Sequence, residues 1–243
     1  MITMKQKFES ISFFCPAYND EKNIEKVVSR ADRMLKDSAK KYEIIVVEDG
    51  SLDKTLNVLY ELKKNYPYLK IIHHEHNQGY GFALRDGFIN AKYSLILYTD
   101  GDFQYDPLEF MDLLNKLGKY DAVIGYRINR KDSAYRYFQS KIFNFLINAL
   151  FGLNYKDVNC SMKVIKRDVM KKISIESTTA FIDVEIMIKL LRLKAKVLEV
   201  PVNHYSRLHG QAGGAKLKVI LPAIKDIFRF FFKKFSDQNL NHF

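Results

Sequence analysis

Two aspartates one residue apart, Asp100 and Asp102 around Gly101, stand directly behind the apolar run Ser94-Leu95-Ile96-Leu97-Tyr98-Thr99. Such a run predicts a buried strand, and uncompensated carboxylates at its exit are costly unless a cation sits with them. Hard divalent cations such as Mg²⁺ or Mn²⁺ take oxygen ligands. When a protein supplies only one or two carboxylates, they complete their shell with water and substrate phosphate. Taken alone, Asp-Gly is also a plain solvated turn, so the pair needs neighbours to carry chemistry.

Two other strand-like runs supply them. Residues 11–15 lead into Pro16-Ala17-Tyr18-Asn19-Asp20-Glu21, and residues 42–47 lead into Glu48-Asp49-Gly50-Ser51-Leu52-Asp53. Ligands of open parallel α/β sheets collect at the carboxyl ends of strands, so one site built from all three exits is the economical reading. Asp49 with Gly50 also reads as an Asx turn with positive φ at the glycine, and that is compatible with a binding role.

The elements that must position these loops alternate. Helical spacing covers 22–41, with Asn19 or Asp20 as N-cap, then 54–66 and 79–91; strands are expected at 69–73 and 122–125, and a further helix after Asp106-Pro107. That succession is βαβ, which gives a mainly parallel sheet with helices on both faces. Later, helices are expected at 133–151, 180–193 and 216–235, and strands at 162–165 and 197–200. In the last helix Leu217, Ile220, Leu221, Ile224, Ile227, Phe228 and Phe231 share one face, opposite Lys218, Lys225, Arg229 and Lys233. It is either a helix docked on the domain or a basic amphipathic helix lying on an anionic membrane, the latter favoured by Phe230 and Phe232.

Composition narrows the class. The 243 residues fit one α/β domain, and 39 Lys+Arg against 28 Asp+Glu give +11, a balance suited to nucleotides, phospholipid surfaces or nucleic acid. No recognised nucleic-acid-binding motif is present, so no nucleic-acid partner is expected. Cys15 and Cys160 have neither zinc nor redox spacing and read as buried thiols of a reducing cytoplasm. No secretory leader and no spanning helix are expected. Gly79-x-Gly81 lacks the third glycine of a dinucleotide fingerprint, so a nicotinamide site is rejected. Arg85, in the same block, is either solvated or a phosphate contact.

The segments PAYNDE, VVEDGSLDKT, HNQGYGFALRDGFINA and YTDGDFQYDP, in this order, resemble the family 2 glycosyltransferases of GT-A (Rossmann-like) fold, and in particular the dolichyl- and polyprenyl-phosphate mannose and glucose synthases. The resemblance runs over residues 8–218, which are expected to form the catalytic domain, with 219–243 as an amphipathic basic helix and tail. It implies a metal-dependent, inverting transfer of a hexose from a GDP- or UDP-sugar. Asp100 and Asp102 would hold the metal, and Gln104 of D-x-D-x-Q the metal or a phosphate oxygen. Pro16, Tyr18, Asp20, Val47, Glu48, Asp49 and Gly101 would line the donor pocket, with Asp49 on a base N–H. Asp20 stands where relatives often have Glu, and Glu48 where they usually have Asp.

Cations follow, as a diphosphate requires. Arg127 matches the family's Gly-x-Arg and is assigned to a phosphate or the acceptor, with Arg130 and Arg136 close behind. Residues 207–216 resemble a lengthened R-x-x-G-x-S-K loop with Ala for Ser, which carries Arg207 and Lys216 over as diphosphate ligands on a loop that closes over the donor. Asp183, in Phe181-Ile182-Asp183-Val184-Glu185, is the candidate catalytic base. A polyprenyl phosphate acceptor is already ionised and needs no such base, in which case Asp183 caps its helix. The expected activity is transfer to polyprenyl phosphate at the cytoplasmic membrane face by a peripheral enzyme. A saccharide acceptor is the alternative, and a sugar-phosphate nucleotidyltransferase is disfavoured because no Gly-rich loop follows the first strand.

Overall fold

The computed structural model describes residues 6–131, 134–207, 209 and 217–239. Its strands are β1 (Phe8–Ala17), β2 (Ala39–Glu48), β3 (Leu69–His73), β4 (Leu95–Tyr98), β5 (Ala122–Ile128), β6 (Lys163–Lys166) and β7 (Val197–Asn203). They form a seven-stranded sheet in the order β3-β2-β1-β4-β6-β5-β7. Neighbours pair in parallel except at β6, which is antiparallel to both β4 and β5. Because one strand is reversed between them, β4 and β5 still run the same way. The carboxyl ends of β1, β2, β4 and β5 therefore share one edge of the sheet.

Alternation along β1 sends its side chains to opposite faces. Phe13 packs edge-on to Phe110 of α4 (Phe110–Leu117), at 5.9 Å between ring centres, in the core under α1 (Ile24–Ser38) and α2 (Thr55–Asn65). Phe14 stacks on Tyr98 at 5.3 Å in the other core, beneath α3 (Tyr80–Asn90), α5 (Ala134–Phe151) and α7 (Ile182–Arg192). Helices thus cover both faces, as the βαβ pattern implies. Cys15 and Cys160 are buried free thiols.

Three local expectations are corrected. The first helix ends at Ser38 rather than Lys41, because Ala39 turns extended and enters the ladder opposite Phe8; pairing with β1 overrides helix propensity there. Neither Asn19 nor Asp20 is its N-cap. Asn23 holds that position without a side-chain cap bond, and the Asp20 carbonyl accepts from the amides of Asn23 and Ile24. A one-turn helix, α6 (Arg167–Met170), is too short to leave a periodic signal.

The third correction concerns α8 (Leu217–Asn239). Its docked side carries Asp226 and Phe230, with Ala223, Ile227 and Phe231 partly buried, while Leu221, Ile224 and Phe228 of the expected apolar face are exposed. Phe230, which favours the membrane-lying reading of this helix in the sequence, is 2% exposed and packs on Phe181 at 5.2 Å. The physical reason is polar. Asp226 accepts from Ser177 Oγ (2.6 Å) and Thr179 Oγ1 (2.9 Å), and satisfying that buried carboxylate turns the helix away from its simplest apolar register.

Candidate active site

The first two loops are stapled to each other before any ligand arrives. The Asn19 amide donates to Ser51 Oγ (3.0 Å), Leu52 donates back to Asn19 Oδ1 (2.8 Å), and the Asp20 amide donates to Thr55 Oγ1 (2.8 Å). Gly101 lets the loop after β4 lie on the first of them, since a Cβ there would fall 2.3 Å from the Pro16 carbonyl oxygen. Gly50 has φ +65°, and a Cβ would strike the backbone of His76 and Asn77. Tyr18 is 42% exposed at the rim, whereas Asp20 is buried.

The acids of the second loop face their own scaffold. Asp49 accepts from the amides of Gln78 (2.9 Å) and Gly79 (2.8 Å) and from His74 Nδ1 (2.7 Å), so it fixes the loop entering α3. Glu48, fully buried, takes the Ser51 amide and His73. The Val47 side chain lies in the core and leaves only backbone for a ligand. Burial would lower His74, but its bonds to Asp49 and Asp86 outweigh that and raise it above 6.5.

At the exit of β4 the charge is unbalanced. Burial first, and then the neighbouring Asp102 and Asp183, push the Asp100 carboxyl up to about 7. Ser161 Oγ donates to Asp100 Oδ2 (2.9 Å), while Asp100 Oδ1 is buried with no hydrogen-bond donor among the described residues. Asp102 takes the Gln104 amide on Oδ1 (2.9 Å) and Arg207 on Oδ2. Asp20 is raised as well, by burial first and then by Asp102. A donorless carboxylate oxygen amid like charges fits a bound cation. The described residues offer no group of three or more His, Cys, Asp or Glu for a metal, so phosphate and water would have to complete the shell. Gln104 directs its amide nitrogen to the Tyr205 carbonyl (3.3 Å), which ties the D-x-D loop to the segment carrying Arg207.

Asp183 is held on all sides. Oδ1 receives Lys163 Nζ (2.5 Å) and the Tyr98 hydroxyl (2.7 Å), and Oδ2 receives the Tyr80 hydroxyl (3.1 Å). The expected capping role is corrected: Phe181 is the N-cap, and Asp183 lies inside the first turn of α7 with its carboxylate turned to β4, β6 and α3. Lys163, Tyr98, Tyr80 and Ser161 stand in no motif that marks them as site residues in the sequence. The one signal was Lys163 itself, a charge inside the strand-like run 162–165.

Arg127 forms a two-pronged pair with Asp157, at 2.6 Å from Nε and 2.8 Å from Nη2. Burial works against both charges, yet the pairing wins and holds Asp157 below the usual carboxylate range. The other cations of this corner, Arg130, Lys141 and Lys156, line a cleft of about 260 Å³ beside α5. Arg130 Nη1 donates to Ser140 Oγ (2.9 Å). Lys216 and most of its loop lie outside the described residues.

A model of the glycosyl transferase family 2 matches residues 12–174. Among curated proteins, the chain is 28% identical over 205 residues to dodecaprenyl-phosphate galacturonate synthase of Rhizobium johnstonii, covering 82% of this chain and 60% of that protein. It is 29% identical over 228 residues to dolichyl-phosphate beta-glucosyltransferase ALG5D of Trichomonas vaginalis, covering 86% and 68%. The chain thus spans about 60% of the length of the first of these relatives. Among solved structures, glucosyl-3-phosphoglycerate synthase from Mycobacterium tuberculosis, crystallised with Mn²⁺ and UDP-glucose, superposes with a TM-score of 0.67 at 15% identity, covering 90% of this chain and 79% of that one. At that identity the superposition speaks for the fold alone. With the family match extending over more than half of the chain, from the first strand past the Asp100-Gly101-Asp102 exit, the protein belongs to glycosyl transferase family 2.

Proposed function

We propose that the protein transfers a hexose from a nucleoside-diphosphate sugar to a polyprenyl phosphate at a membrane surface, with inversion at the anomeric carbon. The observation that carries this reading is the state of Asp183. Its oxygens already accept from the Lys163 Nζ and from two tyrosine hydroxyls, so both are engaged by the protein and neither is left open to a sugar hydroxyl. A phosphate monoester attacks with an oxygen that is already charged. The bond from the anomeric carbon to the diphosphate breaks as the new bond forms, and the electron pair leaves with the diphosphate.

The chain's own residues then bind and orient. Tyr18, Asp20 and the stapled first and second loops frame the nucleotide, and Arg207, now on Asp102, is placed to turn to the diphosphate. A divalent cation on Asp100 and Asp102 would neutralise the charge that develops on the leaving group. The Arg130, Lys141 and Lys156 cleft suits the acceptor phosphate.

Two neighbouring helices favour a lipid carrier. α5 exposes Tyr135, Phe138, Ile142, Phe145 and Leu146, a run at three-, four- and seven-residue spacing. α8 exposes Leu221, Ile224, Phe228 and Phe232, and the two helices meet where Phe151 packs on Phe231, 6.5 Å apart. Adjoining apolar stripes on a +11 chain suit an anionic bilayer. No described helix is long and apolar enough to cross a membrane. The curated relatives named above carry polyprenyl phosphates in their names, which agrees with this acceptor.

The test is a transfer assay with UDP- and GDP-hexoses, Mg²⁺ or Mn²⁺, and either a short polyprenyl phosphate or a panel of saccharides. Transfer to the lipid phosphate alone supports the reading. Transfer to a saccharide hydroxyl with an inert lipid phosphate overturns it.

A further inference from the structure

Arg85 does not belong to the site just described. α3 runs from the catalytic edge back across the sheet, and Arg85 stands in its second turn, facing a cleft of about 350 Å³. Ile96, near the start of β4, and Arg167, just past the end of antiparallel β6, line the same cleft. β6 ends where β4 begins, with Lys166 opposite Leu95. The cleft therefore opens at the amino edge of the sheet, opposite Asp100 and Asp102.

Its chemistry is two-sided. Phe88, Ile96 and Met170 form a buried apolar floor. Arg85, Arg167 and Lys171 surround it. Arg85 is half-buried and makes no hydrogen bond or ion pair with the described residues. Arg167 donates only its Nε, to the Ala91 carbonyl (3.0 Å), which fixes the guanidinium while leaving its terminal nitrogens for a ligand. Lys171 has only a loose, exposed pairing with Asp168 at 3.7 Å. A guanidinium held half out of water without a carboxylate has the fork of donors that suits an oxyanion. The volume lies at the lower end of the range for small-molecule sites, and the floor is too apolar for a bare inorganic ion to fill.

We propose that this cleft binds a small amphipathic anion, an oxyanion head between Arg85 and Arg167 carried on a short apolar body that lies over Phe88, Ile96 and Met170. The assignment is independent of the transferase reading, since none of these residues takes part in it. Carboxylate and phosphate-monoester heads share the required chemistry, and the test separates them.

Titration calorimetry on the full chain would use octanoate and octyl phosphate as probes, with acetate, inorganic phosphate and octanol as controls for head and tail alone. At least one of the two amphiphiles should bind more tightly than its bare head and than octanol; whichever does identifies the head. Arg85→Gln should weaken that binding by about tenfold or more, the usual worth of a charge-assisted contact. Nucleoside-diphosphate affinity should stay unchanged. Arg85→Glu should abolish binding of the anion. Arg85 has no structural partner to lose, so its variants should melt like the parent, whereas Arg167→Gln also loses the Ala91 contact. Equal binding to Arg85→Gln and parent, octanol binding as tightly as the amphiphiles, or binding of neither amphiphile at millimolar concentration would each overturn the proposal.

Discussion

Lys163, whose side chain is wholly closed to solvent, sets its Nζ 2.5 Å from Oδ1 of Asp183. Neither charge is affordable alone in that position, and together they fix Tyr98 and Tyr80 at the floor of the site. Breaking such a pair leaves an uncompensated buried charge, which costs about 3–5 kcal/mol. Lys163→Met should therefore lower unfolding stability by roughly that much. Lys163→Met with Asp183→Asn should recover part of it. Urea unfolding of both variants checks this; a single variant no less stable than the double one would show that the pair does not hold this region.

The same double variant addresses the base. Losing a general base costs roughly 10²–10⁴-fold in rate. With polyprenyl phosphate as acceptor, the folded double variant should lose far less than that. A loss within that range, at a temperature where the protein is still folded, would restore Asp183 to the base's role.

Asp100→Asn and Asp102→Asn should each reduce sugar transfer by at least about 10²-fold, the scale of losing a centre that stabilises developing charge. Asp100→Asn should not lower the melting temperature, because it removes a charge that Asp102 and Asp183 oppose and an oxygen with no donor. Activity and thermal scans on the same preparation separate the two effects. Unimpaired transfer by both variants in the presence of chelator would remove the metal from the proposal.

Arg207→Ala releases Asp102 and should weaken binding of the nucleoside diphosphate by roughly tenfold or more, with little change for the nucleoside. Lys216→Ala should act in the same direction. Calorimetric titrations with the diphosphate and the bare nucleoside make the comparison, and equal losses for both ligands would place these cations away from the diphosphate.

His74, buried between Asp49 and Asp86, gives a pH signature. Its folded value is raised above 6.5. The stabilisation is therefore complete below that ordinary value and is lost as pH rises through the raised one. Denaturant midpoints measured from pH 6 to 9 should fall in the parent over that window and stay flatter in His74→Asn. Parallel curves would mean that His74 titrates alike in both states.

The strands and most helices were legible because their signals are local. A buried run followed at once by Asp100-Gly101-Asp102 announces a strand exit that carries charge, and the interlocked loops after β1 and β2 are marked by their turn residues. Helix ends were less legible: Ala39 to Lys41 have helical spacing, and only the presence of β1 alongside draws them into the sheet. The facing of α8 depended on Ser177 and Thr179, which lie 49 and 47 residues from Asp226 in the chain.

By itself, the sequence determined the order of elements, the acids and cations available, and the edge at which three loops end. Tertiary structure alone decided which opposite charges meet. Arg127 reads as a phosphate ligand until Asp157 is folded against it, Asp183 as a free base until Lys163 is brought beside it, and Arg207 as a loop cation until it lies on Asp102. Each pair is separated by 20 to 105 residues. The strength of a charge depends on its distance to a partner and on the water excluded between them. Neither quantity exists until reversed β6 is inserted between β4 and β5 and brings the loops and helices of the second half of the chain to the carboxyl edge of the first.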